Sequence, residues 1–182
     1  MDDVIRKLTA EQAFEVVLRL HRQGGKIREA VVTEAMSVLS EIDLDEIAEA
    51  VLFALDAINV EDCWNRSGRS RYGYTSPDEA AAELIEGELR SFLEQIDRYH
   101  DLGMADQEAI CCMGVILGCY RFEQEAKTEF REWSVDIPGD IAHLLLKKWQ
   151  KRTRQKARIN TMRKFVRERC PQWAKWLRVQ RH

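Results

Sequence analysis

A chain of 182 residues, 45% hydrophobic and 32% charged, has the balance of a globular protein with a core and excludes a disordered one. Only 3 prolines and 9 glycines interrupt it, too few for a fold of many short strands and turns. The net charge of −3 conceals a division: residues 147–182 hold 14 Lys and Arg against one acid, Glu168, for +13, while residues 1–146 hold 14 basic and 30 acidic residues, for −16.

In chain order, Met1-Asp2-Asp3-Val4 is acidic, with no apolar signal segment behind it. No later run approaches the roughly 18 uncharged apolar residues that span a bilayer, so a cytoplasmic protein without a membrane role is expected. Thr9-Ala10-Glu11-Gln12 reads as a capping box, followed by Phe14, Val17, Leu18 and His21 at helical spacing, and Gly24-Gly25 ends that helix. From Lys26, Ile27, Ala30, Val31, Ala35 and Val38 mark a second helix. Asp43-Leu44-Asp45-Glu46 opens a third, with Leu44, Ile47, Ala48, Val51, Leu52, Leu55 and Ile58 on one stripe.

Residues 63–75 form the longest irregular stretch. Ser76-Pro77-Asp78-Glu79 then starts a fourth helix, with Ser as cap, Pro at the first position and two acids beside the positive dipole end. Leu84, Ile85, Leu89, Phe92, Leu93 and Ile96 are its expected buried face. A fifth helix, about 105–125, carries no charge from Ala109 to Cys119, so it belongs at the centre of the core. Its Gly114 and Gly118 leave room for a neighbouring backbone. After a weak segment near Phe130 and Trp133, Asp136-Ile137-Pro138 starts a sixth helix through Trp149. Residues 150–158 read as solvated. Ile159, Met162, Phe165 and Val166 restore a stripe, and Trp173, Trp176 and Leu177 follow Cys170-Pro171.

The expected fold is all-α: an irregular antiparallel bundle or helical-hairpin array of six or seven helices, with an acidic domain over 1–146 and a basic helical extension over 147–182, which packs on the same domain or stands apart from it. Arg69-Tyr72-Gly73-Tyr74, Asp101-Leu102-Gly103-Met104 and Tyr120-Arg121-Phe122-Glu123 resemble helical-repeat regions of uncharacterised prokaryotic proteins, across residues 60–133. That resemblance implies helical pairs and no particular activity.

No phosphate-binding, dinucleotide, zinc-protease or nucleophile-elbow motif is present. His21, His100, His143 and His182 are far apart, and Glu123 and Glu125 read as surface partners of Lys127 and Arg131. Cys63, Cys111, Cys112, Cys119 and Cys170 lack ligand spacing and read as buried reduced thiols. No catalytic residue, metal or cofactor is expected.

Two segments carry binding chemistry. The first is the basic C-terminus: Lys147, Lys148, Lys151, Arg152, Arg154, Lys156, Arg158, Arg163 and Lys164, with Trp173 and Trp176 interleaved. Such cations neutralise phosphates and such rings stack on bases. The same cations also suit an acidic surface of this chain or of a second copy. The second is the Arg-rich loop: Arg66, Arg69 and Arg71 with Tyr72 and Tyr74, a candidate for an anionic ligand. A helix-turn-helix is excluded, because the helix after Gly103 displays Ile110, Met113, Ile116 and Leu117, which cannot read base edges. The leading expectation is a non-enzymatic interaction or scaffold module with a protein partner or a second copy. Nucleic acid on 147–182 is the alternative, and a ligand site or enzyme at the Arg loop the third.

Overall fold

Helix signals dominate the sequence, and the computed structural model, which describes residues 3–70 and 73–177, is all-α apart from one two-stranded sheet. Two compact units divide it, Met1–Glu41 and Ile42–His182.

The first unit holds α1 (Asp3–Arg6), α2 (Ala10–Arg22) and α3 (Gly25–Ser40). The capping box at Thr9 forms: Gln12 N donates to Thr9 Oγ1 at 3.2 Å, and Thr9 N donates to Gln12 Oε1 at 3.0 Å. Gly24 and Gly25 both take positive φ, 75° and 52°, which an L side chain resists, so the glycine pair turns α2 into α3. The two helices touch one another, yet no residue of either is buried.

The second unit runs α4 (Leu44–Asp56), α5 (Val60–Arg66), β1 (Gly68–Ser70), β2 (Gly73–Thr75), α6 (Pro77–Asp101), α7 (Ala105–Glu125), α8 (Phe130–Trp133), α9 (Ile137–Arg152) and α10 (Lys156–Arg169), then a 3-10 turn at Trp173–Lys175. Every residue of α7 from Cys111 to Tyr120 is buried. α4, α6, α9 and α10 pack around it, as the uncharged run 109–119 predicts. The closest approach is made by α4. A Cβ on Gly114 would stand 2.7 Å from Ile47 Cβ, and one on Gly118 would stand 2.5 Å from Val51 Cβ and 2.8 Å from the Ala48 carbonyl oxygen. The two glycines, one turn apart, are the groove into which the Ile47 and Val51 ridge fits.

The described residues contain ten α-helices where six or seven are expected. The long ones coincide with the periodic stripes. The additional ones are α1, α5 and α8, of 4, 7 and 4 residues, too short for a 3.6-residue period to register. The expected irregular stretch 63–75 is largely ordered: α5 reaches Arg66, and β1 pairs antiparallel with β2 in the register Gly68↔Thr75, Arg69↔Tyr74, Ser70↔Gly73. Phe92 and Leu93 are half-buried rather than enclosed.

The charge boundary at residue 147 falls inside α9, and the described basic residues beyond it belong to the second unit. The solvated stretch expected over 150–158 is shorter, because Gln150 is buried and α9 continues to Arg152. Trp149, Ile159, Met162, Phe165, Val166, Trp173 and Leu177 are all core residues. No helix among the described residues is long and apolar enough to cross a membrane.

Candidate functional site

The cations of α9 and α10 meet the acids of the preceding helices at discrete points and form a charged seam in the second unit. Lys148 and Arg152 are one helical turn apart on α9, so both side chains leave the same face. Lys148 Nζ reaches Asp97 Oδ2 at 2.7 Å and Arg152 Nη1 reaches Asp97 Oδ1 at 2.7 Å, both onto α6. Arg152 also lies 3.8 Å from Oε1 of Glu108 on α7. Glu108 is only 3% exposed; its Oε2 faces His100 Nδ1 at 3.2 Å, and its Oε1 has no hydrogen-bond partner among the described residues. Arg152 thus stands between a shared surface acid and a buried one.

Two more pairs extend the seam. Arg158 Nε donates to Asp106 Oδ1 at 2.7 Å, tying α10 to the first turn of α7, and Arg169 at the end of α10 pairs with Asp45 in the first turn of α4. Both acids sit at helix N-termini, where the dipole already favours them.

At the far end, the Trp173 indole Nε1 donates to Glu123 Oε2 at 2.9 Å, and the ring packs edge-on against Tyr120 with centroids 5.3 Å apart. Glu123 also accepts a hydrogen bond from the backbone of Gly139. This corrects the reading of Glu123 as a surface partner of Lys127 and Arg131: Arg131 Nη1 donates to the Ala126 carbonyl and Glu125 pairs with Arg121 instead. Gly139 permits the arrangement, since a Cβ there would stand 3.0 Å from the Trp176 ring and 3.3 Å from Glu123 Oε1. Glu123, Asp136, Gly139, Asp140, Gln172, Trp173 and Trp176 surround an open cavity of about 530 Å³. Asp136, which precedes α9, takes φ 67°, rare for a residue with a side chain.

The basic candidates therefore separate. Lys148, Arg152 and Arg158 are engaged by acids of the same unit. Arg163 donates to Asn160 Oδ1 at 3.1 Å. Lys147, Lys151, Arg154, Lys156 and Lys164 are exposed and form no ion pair among the described residues. Trp173, 3% exposed and hydrogen-bonded, is a core residue and presents no face for stacking, whereas Trp176 is 44% exposed.

In the second candidate segment, Arg66 and Arg69 are exposed, and Tyr74 stands opposite Arg69 in the register. Arg71 and Tyr72 lie outside the described residues. Trp64 packs edge-on against Trp133, centroids 6.1 Å apart. The N-terminus of α6, the expected dipole for an anion, already holds a carboxylate: Ser76 N donates to Glu79 Oε2 at 2.9 Å and Glu79 N to Ser76 Oγ at 3.2 Å. An incoming anion at this helix end would face Glu79. All five cysteines are buried free thiols, with Cys111, Cys119 and Cys170 pushed up to about 12 by burial, so none of these three supplies a thiolate near neutral pH. Among the described residues no group of three or more His, Cys, Asp or Glu is arranged to hold a metal ion.

Of the acids of the seam, sequence reasoning passes over Asp97, Asp106 and Glu108, takes Asp45 only as part of a helix start, and reads Glu123 as a surface partner. Like charges at i, i+4, as at Lys148 and Arg152, do not identify these acids, because Lys147 and Lys151 have the same spacing and form no ion pair among the described residues.

The seam gives folding a defined pH response. Partial burial opposes the charge on Asp97, and the hydrogen bonds from Lys148 and Arg152 outweigh it, holding its carboxyl below the usual value. Hydrogen bonds from Arg169 and Arg158 do the same for Asp45 and Asp106. A depressed folded-state pKa contributes stability that is present above the unfolded value, about 3.9, and lost as pH falls through the folded one. Glu123 has the opposite sign: burial pushes it up, so its cost to folding is relieved as pH falls, before the aspartates protonate. Urea unfolding from about pH 6 down to about pH 2 should therefore show a loss confined to the acid limb, and Asp97→Asn should flatten that limb. An unchanged acid limb in Asp97→Asn would remove Asp97 from this role.

Comparisons with known protein families, with curated proteins and with solved structures each returned no match to this chain.

Proposed function

We propose that the protein is a non-enzymatic helical interaction module whose basic C-terminal segment serves to close the fold on its own acidic helices. The observation that carries this reading is Asp97, gripped by Lys148 and Arg152 from 51 and 55 residues away, with Arg158 and Arg169 repeating the pattern at Asp106 and Asp45. A segment kept for a polyanion would hold its cations in solvent. Here four of them are spent on acids of the same unit, and the aromatic residues among them largely fill the core. The exposed cations that remain share the second unit with exposed acids such as Glu46, Glu61 and Glu94, a mixture suited to a polar protein partner rather than to a phosphate backbone.

The second reading is nucleic-acid binding, favoured by Lys147, Lys151, Arg154, Lys156 and Lys164, which remain exposed and form no ion pair among the described residues. Fluorescence-anisotropy titration of the intact protein with short labelled RNA and DNA, at low and at physiological salt, decides between them. The expected result is no saturable binding at physiological salt. Tight binding with a log–log salt slope of about −5, as six phosphate contacts give, would overturn the proposal, provided that changing these five residues to Glu abolishes it. Point substitutions are needed because truncation after Leu146 would remove Trp149, Ile159, Met162, Phe165 and Val166 from the core.

A further inference from the structure

We propose that the α2–α3 hairpin is a dimerisation element, pairing antiparallel with the hairpin of a second copy of this chain to close a four-helix bundle. This goes beyond the reading of the C-terminal segment and does not depend on it.

The hairpin has the local signals of a well-formed structure and none of the packing. Its capping box is complete and its glycine turn is sharp, but no residue of α2 or α3 is buried. Phe14 is 63% exposed and Val38 is 60% exposed, with Val17, Leu20 and Ile27 exposed beside them. Phe14 and Val17 share one face of α2, and Ile27 and Val38, eleven residues apart, share one face of α3. Two helices in contact cannot enclose a core, and isolated helices of 13 and 16 residues are marginal in water. Two such hairpins can enclose one, because four amphipathic helices direct their apolar stripes to a common axis.

The charges select the occupant and its direction. Between Thr9 and Glu41 there are four basic residues, Arg19, Arg22, Lys26 and Arg28, all in the ten positions around the turn. The five acids, Glu11, Glu15, Glu29, Glu34 and Glu41, all lie outside those positions. Each hairpin is therefore positive at its turn and negative toward its open end. A parallel partner would set like charges side by side. An antiparallel one, related by a two-fold axis, sets each turn against the other copy's open end and satisfies both contacts at once. The hairpin is thus complementary to itself, which a surface made for an unrelated partner has no reason to be.

Sedimentation equilibrium of the full chain tests this. The wild-type protein should sediment at twice the chain mass, and Phe14→Asp with Val17→Asp should sediment at the chain mass. A charge exchange guards against simple misfolding. A turn-reversed chain (Arg22→Glu, Lys26→Glu, Arg28→Glu) and an open-end-reversed chain (Glu11→Lys, Glu15→Lys, Glu34→Lys, Glu41→Lys) should each be monomeric alone and dimerise when mixed. A wild-type chain that stays monomeric at high concentration would overturn the proposal, assigning the apolar face to the rest of its own chain or to another protein. A dimer insensitive to both sets of changes would overturn it as well.

Discussion

Gly118→Ala should destabilise the protein, although it places the best helix former in the middle of a helix. The propensity gain is about 1 kcal/mol. Against it, the new methyl would stand 2.5 Å from Val51 Cβ and 2.8 Å from the Ala48 carbonyl oxygen, and the latter is helix backbone that can only yield by moving α4 as a body. Overpacking of this kind costs about 3 kcal/mol, leaving a net loss of about 2 kcal/mol and a melting temperature lower by roughly 4–8 °C. Gly118→Leu should prevent α4 from seating at all. Gly87, an exposed glycine on α6 where an added Cβ would meet no atom within 4 Å, is the control. There the same change should stabilise by about 0.5–1 kcal/mol. Thermal unfolding followed by circular dichroism reads both. Opposite signs at the two sites are expected, and equal stabilisation at both would mean that α4 and α7 are not held at the distance the glycines permit.

The legibility of this fold follows the range of the interactions involved. Local signals were readable: Thr9 with Gln12, Ser76 with Glu79, and the periodic stripe of α4 each depend on residues within a turn or two. So was the central position of α7, because a run without charge has only one stable location. The short helices α1, α5 and α8 were not, since their identity is set by what they pack against. The ion pairs that tie α9 and α10 to earlier helices join residues 44 to 124 positions apart, and no pattern in one sequence states which acid meets which cation. Glu108 is the instructive case. It stands directly before the uncharged run, on the same face of α7 as Cys111, Cys112 and Val115, so its spacing already placed a carboxylate toward the core. In the basic C-terminus two local signals coexist: its charge density reads as a binding segment, while the stripe of Ile159, Met162, Phe165 and Val166 threaded through it is buried in the core.

Arg152→Ala should cost about 3 kcal/mol, far more than Lys148→Ala at about 0.5 kcal/mol, although both residues bond to Asp97 at the same distance. The lysine pair is half in water and screened. The arginine lies deeper and, among the described residues, is the only Lys or Arg within ion-pair distance of Glu108, a carboxylate taken almost wholly out of solvent. Removing the arginine leaves that charge with one imidazole and an oxygen that accepts no hydrogen bond from the described residues. The loss should therefore be partly recovered by removing the charge it exposes. Glu108→Gln in the Arg152→Ala background is expected to restore about 1 kcal/mol or more, giving a strong coupling in a double-mutant cycle measured by urea unfolding. Arg152→Lys should fall between, since it keeps a positive charge but loses the rigid planar guanidinium whose Nη1 faces both carboxylates. If Arg152→Ala and Lys148→Ala cost the same and Glu108→Gln recovers nothing, the arginine is an ordinary surface partner. The seam would then owe its stability to the apolar residues of α9 and α10 alone, and all of its cations would be available to an outside partner.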